Sequence, residues 1–265
     1  MDELIISNEK ILRPAFFLGV FLVVGILEYL FPRRGRTIGR VERWVPNLIL
    51  IFIGSFVVKF VCIVTPVAFA QYCHSHSIGF LNVIVIPKWG RILFAIIIFD
   101  MIIYFQHLVF HKWNWLWRLH KVHHCDLDLD VSSGIRFHPI EILISIGVKM
   151  VSVFIIGPDP VAVILFEVLL NASAQFNHGN LKIPESIEKY LRLFIVTPDF
   201  HITHHSVEPK ETNSNYGFML TWWDYLFKSY IRCPGAGYEE MTIGLKQYRD
   251  IKKLKIVNLL LMPFK

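Results

Sequence analysis

The sequence predicts an all-α, multi-pass membrane protein with four to five membrane helices and a histidine-rich helical cap on the cytoplasmic side. Three observations carry that expectation. Of 265 residues, 54% are hydrophobic and only 18% charged, against about 25% charged in soluble domains. Several apolar runs reach the ~20 residues that a helix needs to cross a bilayer core. Strong breakers, Pro32 and Gly157-Pro158-Asp159-Pro160, separate those runs. This composition excludes a soluble globular domain and a disordered tail.

Residues 14–31 form the first span, closed by Pro32 and a loop carrying Arg33, Arg34, Arg36, Arg40 and Arg43. The positive-inside rule places that loop in the cytoplasm. A nucleic-acid patch is the competing reading, but no basic and aromatic stretch continues it, so no nucleic-acid partner is expected. The start, Met1-Asp2-Glu3, lacks the basic region and small-residue cleavage site of a signal peptide, so the first span is expected to remain uncleaved. Residues 46–70 cross back, and a polar loop with Cys73, His74 and His76 follows. Residues 91–111 cross inward and end on two His. After a polar, aromatic stretch at 112–138, residues 140–157 and 161–176 form a hairpin that dips into the membrane and returns. From 177 the chain is polar or amphipathic, and 246–265 is a basic amphipathic stretch suited to an anionic lipid surface. Cys62, Cys73, Cys125 and Cys233 have unrelated spacings, which suggests packing rather than a disulfide framework or thiolate site. The organisation reads as N-terminal membrane helices at 1–90, a catalytic region at 91–230 and a basic tail at 231–265, within one structural domain.

Twelve His stand against this oily background, and buried ring nitrogens are costly without a partner. His107 and His111 form an HxxxH, whose i,i+4 spacing puts both rings on one helix face. His120, His123 and His124 form an HxxHH, and His201, His204 and His205 form a second. In each, the adjacent pair is splayed by about 100°, so neighbours can serve two different metals. Counting crossings brings 107–124 and 178–205 to the same face, while His74 and His76 fall on the opposite one. A straight helix from 91 through 124 would set His120 about half a turn out of phase with His111. A break at Lys112-Trp113-Asn114 is therefore expected. Thr197 as N-cap and Pro198 at the first helical position should start the third box, with Pro209 as its stop.

Eight imidazoles are too many for one four-coordinate zinc, and no HExxH occurs. Imidazole also suits iron, and a pair of iron ions sharing eight or nine His would make a nitrogen-rich dinuclear centre. Beside hydrocarbon, the demanding chemistry for such a centre is attack on an unactivated C–H bond with O2.

The order HxxxH, HxxHH, HxxHH resembles the fatty acid hydroxylase/sterol desaturase superfamily. So do Asp100-x-x-x-Tyr104-x-x-His107, Leu116-Trp117-Arg118-x-His120, Arg136-Phe137-His138-Pro139, Phe176-Asn177-His178-Gly179-Asn180, Asn215-Tyr216-Gly217 and Trp223-Asp224. The match covers roughly 95–230. It departs at Lys228-Ser229, where such proteins often carry Gly-Thr, and at Cys125, where Ser is frequent. The resemblance implies metal ligation by His107, His111, His120, His123, His124, His201, His204 and His205, with His178 as a ninth ligand. His138 either ligates or holds a carboxylate behind a ligand, the second being preferred. Asn180 and Asn215 take supporting places on the same basis.

Asp100, inside an apolar helix, is a functional candidate by default. It shares a face with Tyr104, His107 and His111, which suggests a hydrogen-bonded relay; an ion pair with Lys59, at similar depth, is the alternative. Asp126, Asp128, Asp130 and Asp224 either orient His rings or are solvated loop charges. The Trp residues flanking the boxes read as an interfacial belt.

The reading is therefore a membrane di-iron oxidoreductase that uses O2 and external electrons to hydroxylate or desaturate a sterol, fatty acyl or related lipid. No flavin, nicotinamide or haem motif is present, so a redox partner, a reductase, ferredoxin or cytochrome b5-like protein, is expected. The membrane would be a bacterial inner membrane or the endoplasmic reticulum, with the metal site on its cytoplasmic side. A membrane metal-binding or transport protein is the competing class. It calls for a polar pathway through the spans, which beyond Lys59, Asp100 and Lys149 are oily.

Overall fold

A computed structural model describes residues 2–265. Its helices are α1 (Asp2–Ser7), α2 (Glu9–Leu30), α3 (Arg40–Val61), α4 (Pro66–Ser75), α5 (Phe80–Val83), α6 (Lys88–Lys112), α7 (Asn114–His124), α8 (Pro139–Ile156) and α9 (Pro160–Asn177). Short helices follow: α10 (Glu185–Leu191), α11 (Pro198–His204), α12 (Pro209–Thr212), α13 (Trp222–Leu226), α14 (Gly237–Glu240) and α15 (Ile256–Leu261). Among the described residues β-pairing is limited to three isolated bridges. Five stretches are long and apolar enough to cross a membrane: Glu9–Leu30, Arg40–Val83, Lys88–Lys112, Pro139–Ile156 and Pro160–Asn177. The expected all-α membrane architecture is thus observed.

α9 is the axis of the bundle, with 56% of its apolar window buried against 11% for α2. It packs on α2, α4, α6 and α11, and Phe166 stacks on Phe99 of α6 in the core shared with Val67 and Ala70 of α4. Both hairpin helices start with Pro at the first helical position and a side-chain cap. His138 Nδ1 accepts from Ile140 N–H, and Asp159 accepts from Val161 N–H. Gly157 ends α8 at φ 64°, a conformation open to glycine without strain.

The second span departs from expectation. Rather than one helix over 46–70, α3 ends at Val61, the chain runs extended at Cys62, and α4 restarts at Pro66. Proline has no N–H to donate and its ring clashes with the carbonyl four residues earlier, so the helix breaks there, and Thr65 caps the new start by accepting from Ala68 N–H. The C-terminal stretch also differs. Leu254, Leu259 and Met262 are buried against Leu50 of α3 and Val122 and Cys125 of α7, so its apolar side closes on the protein. Only Val257, Leu261 and Phe264 remain outward.

The arginine loop is fastened to the cap. Arg43, 1% exposed, forms a bidentate pair with Asp126 (2.8 and 2.9 Å) and also reaches Asp130 at 2.6 Å. Asp128 accepts from the backbone N–H groups of Thr37 and Ile38, both at 2.8 Å. Arg33 pairs with Asp199 at 2.8 Å, and Arg36 with the buried Glu28 at 3.2 Å. These contacts set the arginine loop and the His-bearing segments on one face. Among the spans, Lys149 and Arg13 both pair with Glu167, at 2.5 and 2.6 Å, so the polar residues of α2, α8 and α9 neutralise one another.

Candidate metal centre

α6 delivers His107 and His111 at its C-terminal end. Trp113 is extended (φ −102°, ψ 114°) and separates α6 from α7. This is the expected break, and it folds α7 back so that His120 Nε2 comes within 3.1 Å of His107 Nε2. His178 caps the end of α9. Thr197 and Pro198 start α11 as expected, but the helix ends at His204 and Pro209 opens α12 instead of serving as the stop.

Nine His gather into two groups: His107, His111, His120, His124 and His204 in one, and His123, His178, His201 and His205 in the other. Each adjacent pair divides between the groups, with ring planes at 87° for His123 and His124 and 83° for His204 and His205. The groups abut, His124 stacking on His205 with centroids 4.5 Å apart. His74 and His76 lie outside both groups, at the far end of the bundle where Gly79 meets Gly157.

The donor atoms fit a metal. His107, His178 and His204 are held through Nδ1 by the carbonyls of Tyr216 (2.8 Å), Ala174 (2.7 Å) and Ser214 (2.6 Å). His120 Nδ1 lies 2.6 Å from Glu141 Oε1. Each Nδ1–H that donates outward leaves Nε2 as a lone-pair donor facing inward. The Nε2 atoms of His111, His124 and His204 are buried without a hydrogen-bond partner. Neighbouring Nε2 atoms stand 3.0 Å (His123 and His178) and 3.1 Å (His178 and His201) apart. Two nitrogens bound at right angles to one ion at ~2.1 Å would be about 3.0 Å apart. Burial pushes the pKa of His120 and His178 down to about 3. Burial first, then repulsion among the rings, puts His123, His124, His201, His204 and His205 well below the ordinary imidazole value. All seven are neutral at pH 7, the form that binds metal.

The supporting residues sit elsewhere than expected. Asp100 accepts from Met219 N–H (3.2 Å), Leu220 N–H (3.1 Å) and Trp223 Nε1–H (2.8 Å). It is neither a relay to the metal groups nor the partner of Lys59, which is exposed. Tyr104 bonds Ser229 Oγ at 2.8 Å, and Ser229 donates to Asp224 at 2.6 Å. Asp224 accepts the N–H groups of Tyr216 and Gly217, so this chain of contacts fixes the carbonyl that holds His107. Asn215 ties Phe200 to Ile231, and Asn180 pairs with the backbone of Arg34 through both amide atoms. His138 lies outside both groups: it caps α8, and its Nε2 donates to Leu260 O at 3.2 Å. Asp126, Asp128 and Asp130 neither orient rings nor meet solvent; they hold Arg43 and the 37–38 backbone. Glu141 is the contact that sequence reasoning missed. Its signal was a lone carboxylate in the first turn of an apolar span.

The departures at 125 and 228–229 are accommodated. Ser229 supplies the hydroxyl that joins Tyr104 to Asp224, Lys228 takes φ 58°, where a glycine would be unstrained, and Cys125 Sγ accepts from Arg136 at 3.2 Å.

A helical bundle with membrane-length apolar spans that gathers nine imidazoles into two groups at one end has the donor set of a membrane metalloprotein. The sequence profile of the fatty acid hydroxylase family matches residues 92–229, a little over half of the chain, and the protein belongs to that family. It is 30% identical over 158 residues to an ornithine lipid hydroxylase of Rhizobium tropici, covering 59% of this chain and 46% of that protein. It is 27% identical over 193 residues to methylsterol monooxygenase 2-2 of Arabidopsis thaliana, covering 71% and 69%. A very-long-chain aldehyde decarbonylase of Oryza sativa subsp. indica is 28% identical over 172 residues, covering 63% and 64%. The chain thus aligns with under half of the first relative's length and about two thirds of the other two. No solved structure matches it.

Proposed function

We propose that the protein is a membrane lipid oxygenase that uses two iron ions, O2 and externally supplied electrons to hydroxylate or desaturate a C–H bond of a sterol, fatty acyl or related lipid. The observation that carries this reading is the pair of imidazole groups at the end of apolar helices, in which the Nε2 atoms of His111, His124, His204 and His205 are buried without a hydrogen-bond partner. Family membership and the names of the lipid-modifying relatives support it. The five-membered group would hold one ion and the four-membered group the other. Iron so bound supplies O2 activation strong enough to attack an unactivated C–H bond.

The chain's own residues do the rest. The carbonyls of Tyr216, Ala174 and Ser214 keep three imidazoles in the tautomer that binds metal, and Glu141 fixes the orientation of the His120 ring through its Nδ1. The buried cap excludes water from around the rings. The apolar spans α6, α8 and α9 end at these groups and leave the lipid to approach from within the bilayer. The arginine loop shares their face, which the positive-inside rule assigns to the cytoplasm, in a bacterial inner membrane or the endoplasmic reticulum.

Metal analysis of purified protein, with lipid profiling of cells carrying wild type or His123→Ala, tests this reading. About two irons per chain and an oxidised or desaturated lipid lost in the variant are expected. Zinc alone with an unchanged lipid profile would overturn it.

A further inference from the structure

A cleft of about 280 Å³ opens on the cap, lined by His111, Trp117, Pro209, Asn213, Lys246 and Gln247 among others. It reaches the metal groups at one point: of the nine imidazoles only His111 is not fully buried. The half-buried Trp117 ring spans the gap. Its centroid is 4.9 Å from that of His111 and 5.3 Å from that of His124, both in the five-membered group. Basic side chains dominate the surroundings. Lys246 is 62% exposed, Lys112 and Lys210 are exposed beside His111 and Pro209 in the chain, and Arg118 is half-buried one residue from Trp117. The acids nearby are Glu208, paired with Lys246 at 2.9 Å, and Glu211, which accepts from Gly235 N–H.

We propose that the rim of this cleft docks a small acidic one-electron carrier and that Trp117 and His111 conduct its electrons to the five-histidine group. The proposal rests on the oxygenase reading. Hydroxylating one C–H bond with O2 yields an alcohol and water and consumes two electrons and two protons. Two reduced carriers therefore dock in turn, each losing one electron and leaving oxidised. One electron at a time would cross Trp117 and His111 to the five imidazoles, where a bound ferric ion would accept it. The cleft is too small for a folded carrier, so the carrier sits on the rim and the aromatic contact closes the remaining distance. Charge complementarity sets the rate and selectivity of such encounters.

The test uses the full chain in nanodiscs and a [2Fe–2S] ferredoxin as the probe. Its affinity for metal-free protein is measured at low and high salt for wild type and for Lys112→Glu/Lys210→Glu/Lys246→Glu. The variant should bind at least tenfold more weakly at low salt and lose the salt dependence, while reduction of its iron-loaded form by dithionite keeps the wild-type rate. Trp117→Leu, with iron content matched to wild type, should keep the affinity and lose at least tenfold in ferredoxin-driven reduction rate. Unchanged ferredoxin affinity in the charge variant overturns the proposal. So does loss of binding to phosphatidylglycerol vesicles with ferredoxin affinity retained, which would make this a lipid-facing surface. If charge-dependent docking holds but dithionite-reduced, iron-loaded protein oxidises no lipid, the oxygenase reading fails and the docking surface stands.

Discussion

Nδ1 of His120 lies 2.6 Å from Oε1 of Glu141, and both side chains are buried. Among the described residues, this is the carboxylate that meets the clustered imidazoles; the other rings held through Nδ1 rely on backbone carbonyls. A carboxyl group behind His120 fixes the orientation and tautomer of that ring through a side chain rather than the backbone.

Glu141→Gln preserves the shape and an acceptor but exchanges the carboxyl group for an amide. Metal affinity should fall about 10- to 100-fold, read as iron retained against a competing chelator, with the metal-free melting temperature nearly unchanged. Equal retention in the variant and wild type would mean that the carboxylate tunes nothing.

Arg43 is the keystone of the contacts between the arginine loop and the cap. It holds Asp126 well below the usual carboxylate range, with help from Arg136 against the cost of burial. Arg43→Met would leave two buried carboxylates uncompensated, and about 3–5 kcal/mol of stability should be lost, seen as a lower melting temperature in detergent. Replacing Arg43, Asp126 and Asp130 together with apolar residues should recover much of that loss, because no orphaned charge then remains.

The clustered histidines of the three boxes were legible in the sequence because their spacing is local: i, i+3 and i+4 on a helix fixes which rings share a face, and the splay of neighbours fixes which part company. His123 and His124 divide between the two groups for that reason. The carboxylates were not legible, because their partners are chosen by tertiary contact. Asp126 meets an arginine 83 residues away, and Asp100 meets the backbone of 219–220, more than a hundred residues along. The rule that flags an acid inside an apolar span pointed to Asp100 and applied equally to Glu141, which begins α8 at the level of the site. The broken second span was written in Pro66, yet continuous hydropathy across 46–70 masked it.

Acid should loosen the metal-free protein. His120 and His178 have folded pKa values of about 3, against about 6.5 for an unfolded imidazole. Their neutral forms therefore contribute stability that is fully present above pH 6.5 and is lost as pH falls toward 3. Melting temperatures of metal-free protein at pH 7.5, 6.5, 5.5 and 4.5 should fall progressively below 6.5, whereas iron-loaded protein should resist until protons displace the metal. A flat profile for the metal-free form would show that the rings are not buried in its ensemble.

Lys228 occupies a left-handed conformation, φ 58°, between Phe227 and the Ser229 that bonds Asp224 and Tyr104. Lys228→Gly should stabilise the protein by up to about 1 kcal/mol, while Ser229→Ala should destabilise it by about 1–3 kcal/mol because Asp224 and Tyr104 lose a buried partner. Thermal unfolding of the two variants would separate backbone strain from the hydrogen bond.

His138 and His178 stand in similar sequence settings, each beside a helix end and each outside the three boxes, yet their environments differ. His178 Nε2 is 3.0 Å from His123 Nε2 and 3.1 Å from His201 Nε2; His138 spends both ring nitrogens on the backbone, at Ile140 and Leu260. His178→Ala should therefore lower iron content to about one ion per chain or less, because it removes one of four donors. His138→Ala should keep the iron and instead free the C-terminal residues, raising hydrogen exchange around Leu259–Met262 and costing about 1–2 kcal/mol for a lost cap and tie. Iron loss in His138→Ala with unchanged exchange at the C-terminus would place this ring among the ligands and require a rearranged α8 start.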